Sequence, residues 1–215
     1  MADTLVINEI FYSIQGESSY AGWPCIFVRL TGCHLRCTWC DTAYAFDNGQ
    51  PMTLDDIIAK VRSFEGSLVE VTGGEPLLQP NVLPLLTRLC DLGKTALLET
   101  SGTLDVAPVD PRVVKIMDLK CPSSGEAAKN RYTNLRHLTK VDEVKFVIAD
   151  RTDYDWAKRI ITDEQLNQRC VVLFSPVVER LPLRTLADWI LADHLPVRLQ
   201  TQWQKLIWGA TARGV

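Results

Sequence analysis

From Ser67 onward the chain alternates short runs rich in Val, Ile and Leu with segments of helical period. Strands covered on both faces by crossover helices read as such unbroken apolar runs, so the alternation predicts βα units around a parallel sheet. The candidate strands are 25–31, 67–72, 95–100, 113–119, 143–149, 170–175 and 197–201, with Gly73-Gly74 and Gly102 as punctuation at strand ends. The clearest helix spans 53–64: Thr53 can cap it, and Leu54, Ile57, Ile58, Val61 and Phe64 recur at i, i+3, i+4, i+7 and i+10. A second, 80–92, opens near Pro80, buries Leu85, Leu86 and Leu89 and stops at Gly93; further helices fit 152–166 and 182–193. The class is α/β. With 215 residues the chain falls short of the roughly 250 of a complete eight-fold barrel. The expectation is a partial (βα) barrel or an open sheet of about six to seven parallel strands with outer helices, functional groups gathering in the loops at the carboxyl ends of the strands. No repeat, low-complexity tract or linker divides the chain, so 1–215 reads as a single domain.

Composition narrows the function classes. A hydrophobic fraction of 47% supplies a full core and excludes intrinsic disorder. Twenty-three Lys and Arg against 26 Asp and Glu give a net charge of -3, which leaves no excess positive field for phosphate backbones, so no nucleic-acid partner is expected. No apolar run approaches the roughly 18 to 20 residues that span a bilayer, and Asp3 stands where a secretory signal carries basic residues. The expectation is a cytoplasmic protein with no membrane partner.

Seven cysteines is a high, odd count for a compartment where disulfides are rare, which points to metal binding. Cys33, Cys37 and Cys40 lie within eight residues, in a short loop after Gly32, in a C-x3-C-x2-C spacing. Zinc and iron–sulfur clusters both bind thiolates, and a zinc site would take its fourth ligand from His34 or a remote cysteine. The spacing favours the cluster, because three thiolates on a [4Fe–4S] cube leave one iron open to a substrate or cofactor. Cys25, Cys90 and Cys170 sit in apolar strand or helix patterns and read as core residues.

The segments Phe11-Tyr-Ser-Ile-Gln-Gly-Glu17, Phe27-Val-Arg-Leu-Thr-Gly-Cys33, Cys37-Thr-Trp-Cys-Asp-Thr42 and Thr72-Gly-Gly-Glu-Pro76 resemble the radical S-adenosylmethionine enzymes. Ile14-Gln-Gly-Glu17 together with Cys40-Asp-Thr42 is similar, more closely, to the 7-carboxy-7-deazaguanine synthase family, and the likeness runs through Glu99-Thr-Ser-Gly102 and Asp118-Leu-Lys-Cys-Pro-Ser-Ser-Gly125 to Gln200. One position departs: the family commonly has Gly after Gln-Gly-Glu, and here Ser18 follows. The resemblance implies a partial barrel whose Cys33, Cys37 and Cys40 hold a [4Fe–4S] cluster, with S-adenosylmethionine on the open iron as the source of a 5′-deoxyadenosyl radical. It implies a small-molecule substrate, 6-carboxy-5,6,7,8-tetrahydropterin, that loses hydrogen from C6, contracts its ring and releases ammonia in 7-deazapurine (queuosine-type) biosynthesis. It further implies Mg2+, an electron donor such as a flavodoxin or ferredoxin, and a homodimer.

The same resemblance assigns roles beside plainer readings of the residues. Thr38, Trp39, Cys40, Gly73, Gly74, Glu75, Ser101, Ser123 and Ser124 become cofactor-binding. The amino group of S-adenosylmethionine falls at Gly74, although Gly-Gly-Glu-Pro alone is a turn and the serines alone are turn caps. Ile14, Gln15, Gly16, Arg29 and Thr72 become substrate-binding. Arg29 sits mid-strand, where an unpaired charge is costly; it either meets a substrate carboxylate or pairs with Glu9 or Glu17. Thr42 becomes the Mg2+ ligand, its plain reading with Asp41 being a helix cap. Lys120 and Lys145 lie in strand patterns with structural or active-site roles equally open, and His34, His137 and His194 read as surface residues. Two rivals stand beside this reading: an activase installing a glycyl radical on a partner protein, and a non-catalytic zinc or iron–sulfur module.

Overall fold

A computed structural model describes residues 3–215. Its elements are β1 (Thr4–Ile14), β2 (Pro24–Leu30), β3 (Gln50–Thr53), α1 (Leu54–Arg62), β4 (Leu68–Gly73), α2 (Val82–Asp91), β5 (Thr95–Thr100), β6 (Val114–Asp118), β7 (Glu143–Ile148), α3 (Arg151–Asp163), α4 (Leu166–Arg169), β8 (Val171–Pro176), α5 (Leu183–Ala192), β9 (Arg198–Leu199) and α6 (Trp203–Trp208). Among the described residues one nine-stranded sheet runs in the order β3-β1-β2-β4-β5-β6-β7-β8-β9. β2 and β4 through β9 pair in parallel, while β1 is antiparallel to both β2 and β3.

The seven expected strands are therefore the parallel part of the sheet. The antiparallel edge was not foreseen, and its sequence explains why. β1 carries Asn8, Glu9 and Ser13 between its apolar residues, has a register shift between Ile7 and Glu9, and is only half-buried along most of its length. β3 holds Pro51 in four residues with no buried position, as suits an edge strand. The expected helix 152–166 ends sooner: Gln165 takes a left-handed conformation (φ 52°) and separates α3 from α4. Thr53 caps α1 as expected, its hydroxyl accepting the Asp56 N–H.

Alternation along the strands sorts the core into two faces. Ile26, Val28, Val69, Val71, Ala96 and Leu98 pack outward with α1 and α2 residues such as Ile57, Val61, Leu85 and Leu89, and a second outer cluster joins Val144, Phe146, Val172 and Phe174 to α3, α4 and α5. The inner face is apolar at the strands' amino ends, where Cys25, Phe27, Leu68, Leu97, Val114 and Ile116 form a plug. Toward the carboxyl ends it turns polar, with Arg29 beside Thr72 and Asp118 beside Lys145 in register. The polar pocket thus stands on a hydrophobic floor. Cys25 and Cys170 are buried as expected, whereas Cys90 packs only half-buried against the outer core. His34 and His194 are exposed; His137 is half-buried beside Arg136, a correction to its surface reading.

Candidate active site

The cysteine loop follows β2 through Gly32, whose φ of +98° turns the chain away from the sheet. Leu35 is buried beneath it, and Arg36 clamps it: the backbone N–H donates to the Glu126 carboxylate, the guanidinium donates to the Cys33 and Leu35 carbonyls, and its carbon stands 4.1 Å from the Phe46 ring centre. From the other side Thr38 donates its N–H to the Ser124 carbonyl (3.1 Å) and its hydroxyl to the Ser123 carbonyl (2.9 Å). The Gly-Gly-Glu-Pro turn supports a third side. Glu75 N–H donates to the Gly32 carbonyl at 2.8 Å, and a β-carbon on Gly74 would lie 2.1 Å from that oxygen, so only glycine lets the two loops touch.

This scaffold aims Cys33, Cys37, Trp39, Cys40, Thr42, Ile14, Gln15, Gly16, Arg29, Thr72, Gly73, Gly74 and Ser101 into one cavity of about 280 Å3. The cysteines are free thiols. Desolvation pushes the Cys33 and Cys37 thiols up, with the Lys120 ammonium pulling both back toward the thiolate. Among the described residues no three His, Cys, Asp or Glu side chains converge as ligands of one metal ion. Three thiols around a cavity, each facing it from its own place on the loop, suit a cube that binds each to a separate iron better than a zinc ion that gathers all ligands onto itself. The donor set therefore fits a [4Fe–4S] cluster.

Four expected cofactor residues stand behind the cavity wall instead of in it. Thr38 donates to the Ser123 and Ser124 carbonyls as above, Ser123 Oγ donates to Asp150, and buried Ser124 donates to the Cys121 carbonyl. Glu75 is fully buried and accepts from Leu77 N, Thr100 Oγ1, Ser101 N and Ser101 Oγ, so it ties the end of β4 to the end of β5.

Arg29 takes the acid partner that one of its two alternative readings gives it. Its Nε donates to Glu9 at 2.7 Å, with Tyr44 OH donating to the same carboxylate at 2.8 Å, while the residue still lines the cavity. Thr42 stands at the N-cap of the turn Ala43–Phe46 without a side-chain cap bond; its hydroxyl donates to Asp41 at 3.0 Å. Desolvation opposes ionisation of Asp41, yet Lys205 at 3.0 Å and bonds from Gln202 and Thr42 hold its carboxyl at about 2.

Two groups of residues fall outside the roles that the sequence assigns, the first gathered around Lys120 and Lys145, whose roles it leaves open. Inside the cavity buried Lys145 pairs with Glu17 and Glu99, and half-buried Lys120 pairs with Asp118 at 2.8 Å, so both lysines belong to an ionic floor that also contains Glu70. The carboxylates raise Lys145 against the opposing effect of burial. The signal was present as charges at inward positions of apolar strands, Glu70 in Leu68-Val-Glu-Val71 above all. The second group is the C-terminal segment: Gln202, Lys205, Gly209, Ala210 and residues 212–215 form one wall, held by Lys205 to Asp41, by Gln202 to Glu17 (2.8 Å) and by Trp203 N–H to the Gly16 carbonyl (3.1 Å). No helix among the described residues is long and apolar enough to cross a membrane.

Comparison with known proteins agrees with this geometry. Residues 27–119 match the radical SAM superfamily. The 7-carboxy-7-deazaguanine synthase of Chlorobaculum tepidum is 50% identical over 98% of this chain and 97% of its own, and that of Koribacter versatilis 47% identical over 97% and 99%. The crystal structure of QueE from Escherichia coli superposes with a TM-score of 0.79 at 24% identity, covering 93% of this chain and 94% of its own, which establishes the shared partial-barrel fold. A three-cysteine loop seated on that barrel, and relatives 47% and 50% identical over nearly the whole chain, make this chain an enzyme of the 7-carboxy-7-deazaguanine synthase family within the radical S-adenosylmethionine superfamily.

Proposed function

We propose that the enzyme converts 6-carboxy-5,6,7,8-tetrahydropterin to 7-carboxy-7-deazaguanine in queuosine-type biosynthesis. The observation that carries this reading is the polarity of a single cavity: a cysteine loop at one side, an arginine at another, and acids with a bonded amide between them. Cys33, Cys37 and Cys40 would hold the cluster. When bound, the cluster and S-adenosylmethionine supply a radical able to take hydrogen from C6 of the pterin. Everything else falls to the chain's own residues: binding, orientation and exclusion of side reactions.

Arg29 takes the substrate carboxylate. Glu9 holds only its Nε, which leaves the guanidinium's terminal N–H groups for a bidentate contact. Thr72, next to Arg29 in register, contacts the ring, and Gly74 receives the ammonium of the cofactor's methionyl group. Thr42 offers one oxygen to Mg2+, a hard cation that keeps other positions for substrate and water, while Asp41 and Lys205 fix the residue beside it. Trp39 and Ser101, at the cavity edge, flank the cofactor. Thr38, Ser123 and Ser124 serve it indirectly by pinning the loop. The ammonium of Lys145, held between Glu17 and Glu99 in the cavity wall, is the group to hold or deliver a proton as the amine leaves the ring. A flavodoxin or ferredoxin supplies the electron. Trp23, Leu206 and Ile207, at least half exposed, favour a homodimer.

Anaerobic turnover tests the reading. Reduced, cluster-loaded protein with Mg2+ should consume carboxytetrahydropterin and yield the deazapurine acid by mass spectrometry; no consumption would reject the substrate.

A further inference from the structure

Glu70 lies mid-strand in β4, flanked by Phe27 of β2 and Leu97 of β5, 3% exposed and facing the cavity. The lysines of the same cavity are committed elsewhere, buried Lys145 to Glu17 and Glu99 and half-buried Lys120 to Asp118; among the described residues no cation pairs with Glu70. A carboxyl so placed, beside other carboxylates, stays neutral. Among the described residues its side chain has one hydrogen-bond partner, the Gln15 amide, whose nitrogen donates to Glu70 Oε2. Gln15 is itself oriented, because its Oε1 accepts the Glu17 N–H at 3.2 Å and its backbone N–H and carbonyl bond Trp23 and Gly22 at 2.8 Å each. The polarity of the relay is thereby fixed: Glu17 N–H to Gln15 Oε1, Gln15 Nε2–H to Glu70 Oε2. Oε2 must be the carbonyl oxygen, and the acid's O–H is left on Oε1, which has no protein partner among the described residues.

We propose that Glu70 is a specificity-determining residue that donates a hydrogen bond to an acceptor on the substrate's ring, the 4-oxo group of the pterin, through the oxygen that Gln15 leaves free. The proposal rests on the pterin reading above. It gives Gln15 a different task from the one its sequence implies: its side chain orients Glu70, and Glu70 meets the ring. An anionic carboxylate there would instead demand a donor from the ligand. Burial is the main cause holding the Glu70 carboxyl well above its usual range, with Glu99 and then Glu17 adding to it against the Gln15 amide and Lys145; Cys25 of β2 also faces it and stays a thiol.

The test is equilibrium binding of fluorescent 6-carboxypterin and of its 4-amino counterpart to the parent protein, E70Q and E70L, with folding checked by thermal melts. The parent should prefer the 4-oxo ring by about tenfold or more, the cost of leaving a buried donor without its acceptor. E70Q keeps a carbonyl for Gln15 and an N–H for the ring, so it should bind within about threefold of the parent and keep the preference; E70L should lose about tenfold for the 4-oxo ring and most of the preference. As pH rises, parent affinity should fall relative to E70Q, whose donor does not ionise; the ligand's own titration is common to both. E70Q falling as far as E70L, or E70L keeping the preference, would overturn the proposal, and should E70L not fold, a parent-to-E70Q ratio flat with pH would do so. A parent that binds both rings equally sinks the proposal alone. One that binds neither sinks the pterin reading with it.

Discussion

Arg29 shows at the scale of one residue how a structural pair and a functional contact coexist. The guanidinium is fixed by Glu9 through a single nitrogen, so it reaches the cavity already oriented and loses little freedom on meeting a carboxylate. Truncating one partner of a buried charge pair costs on the order of 3 to 5 kcal/mol. Arg29→Met should therefore weaken carboxypterin binding by roughly two to four powers of ten while the cluster spectrum and slow uncoupled cofactor cleavage persist. Parent-like affinity in the mutant would reduce Arg29 to a partner of Glu9. At Thr42 the check is response to a metal: Thr42→Val should keep the cluster and cofactor cleavage yet gain little product from added Mg2+. Stimulation equal to the parent's would remove Thr42 as a ligand. The cysteine triad, Arg29 and the glycines were legible because each breaks its local pattern. Glu75 was misleading for the same reason: a buried acid in a glycine turn looks ligand-directed, but its oxygens are taken by Thr100, Ser101 and Leu77.

Among the elements, those legible in sequence were β2 and β4 through β9 with α1, α2, α3 and α5, all but the short, exposed β9 being buried or strongly periodic. β1 and β3 were not, because a half-exposed antiparallel edge needs no unbroken apolar run. The C-terminal helix α6 was missed for a related reason. None of its residues is buried, so nothing in its pattern points inward, although Gln202 and Lys205 close the cavity through Glu17 and Asp41. Such a segment adds little to stability but much to retention of ligand. Removing residues 203–215 should lower Tm only slightly, since exposed ion pairs are worth about 0.2 to 1 kcal/mol, yet weaken pterin binding at least about tenfold. A large drop in Tm would show that α6 supports the core, and unchanged binding would deny it a place in the site.

Over the whole molecule, the inner face of the sheet sets a gradient from an apolar plug to an ionic floor to an open cysteine loop, and the floor makes stability depend on pH. The carboxyls of Glu70 in that floor and of Glu143, buried at the start of β7 where it accepts the Ser19 N–H, are raised first of all by burial and bind protons in the folded chain that the unfolded chain releases. Their contribution is complete below the ordinary glutamate value and declines as pH rises through their folded values. Cluster-loaded protein should accordingly lose Tm as pH rises from the ordinary glutamate value through the neutral range, and E70Q should lose less; an equal loss would mean Glu70 is ionised in the folded state. The central claim is that this floor holds a carboxypterin with its C6 hydrogen toward the cysteine loop. Anaerobic turnover of substrate deuterated at C6 measures that directly. Deuterium recovered in S-adenosylmethionine or 5′-deoxyadenosine is the predicted result, whereas product formed with the cofactor unlabelled would contradict it.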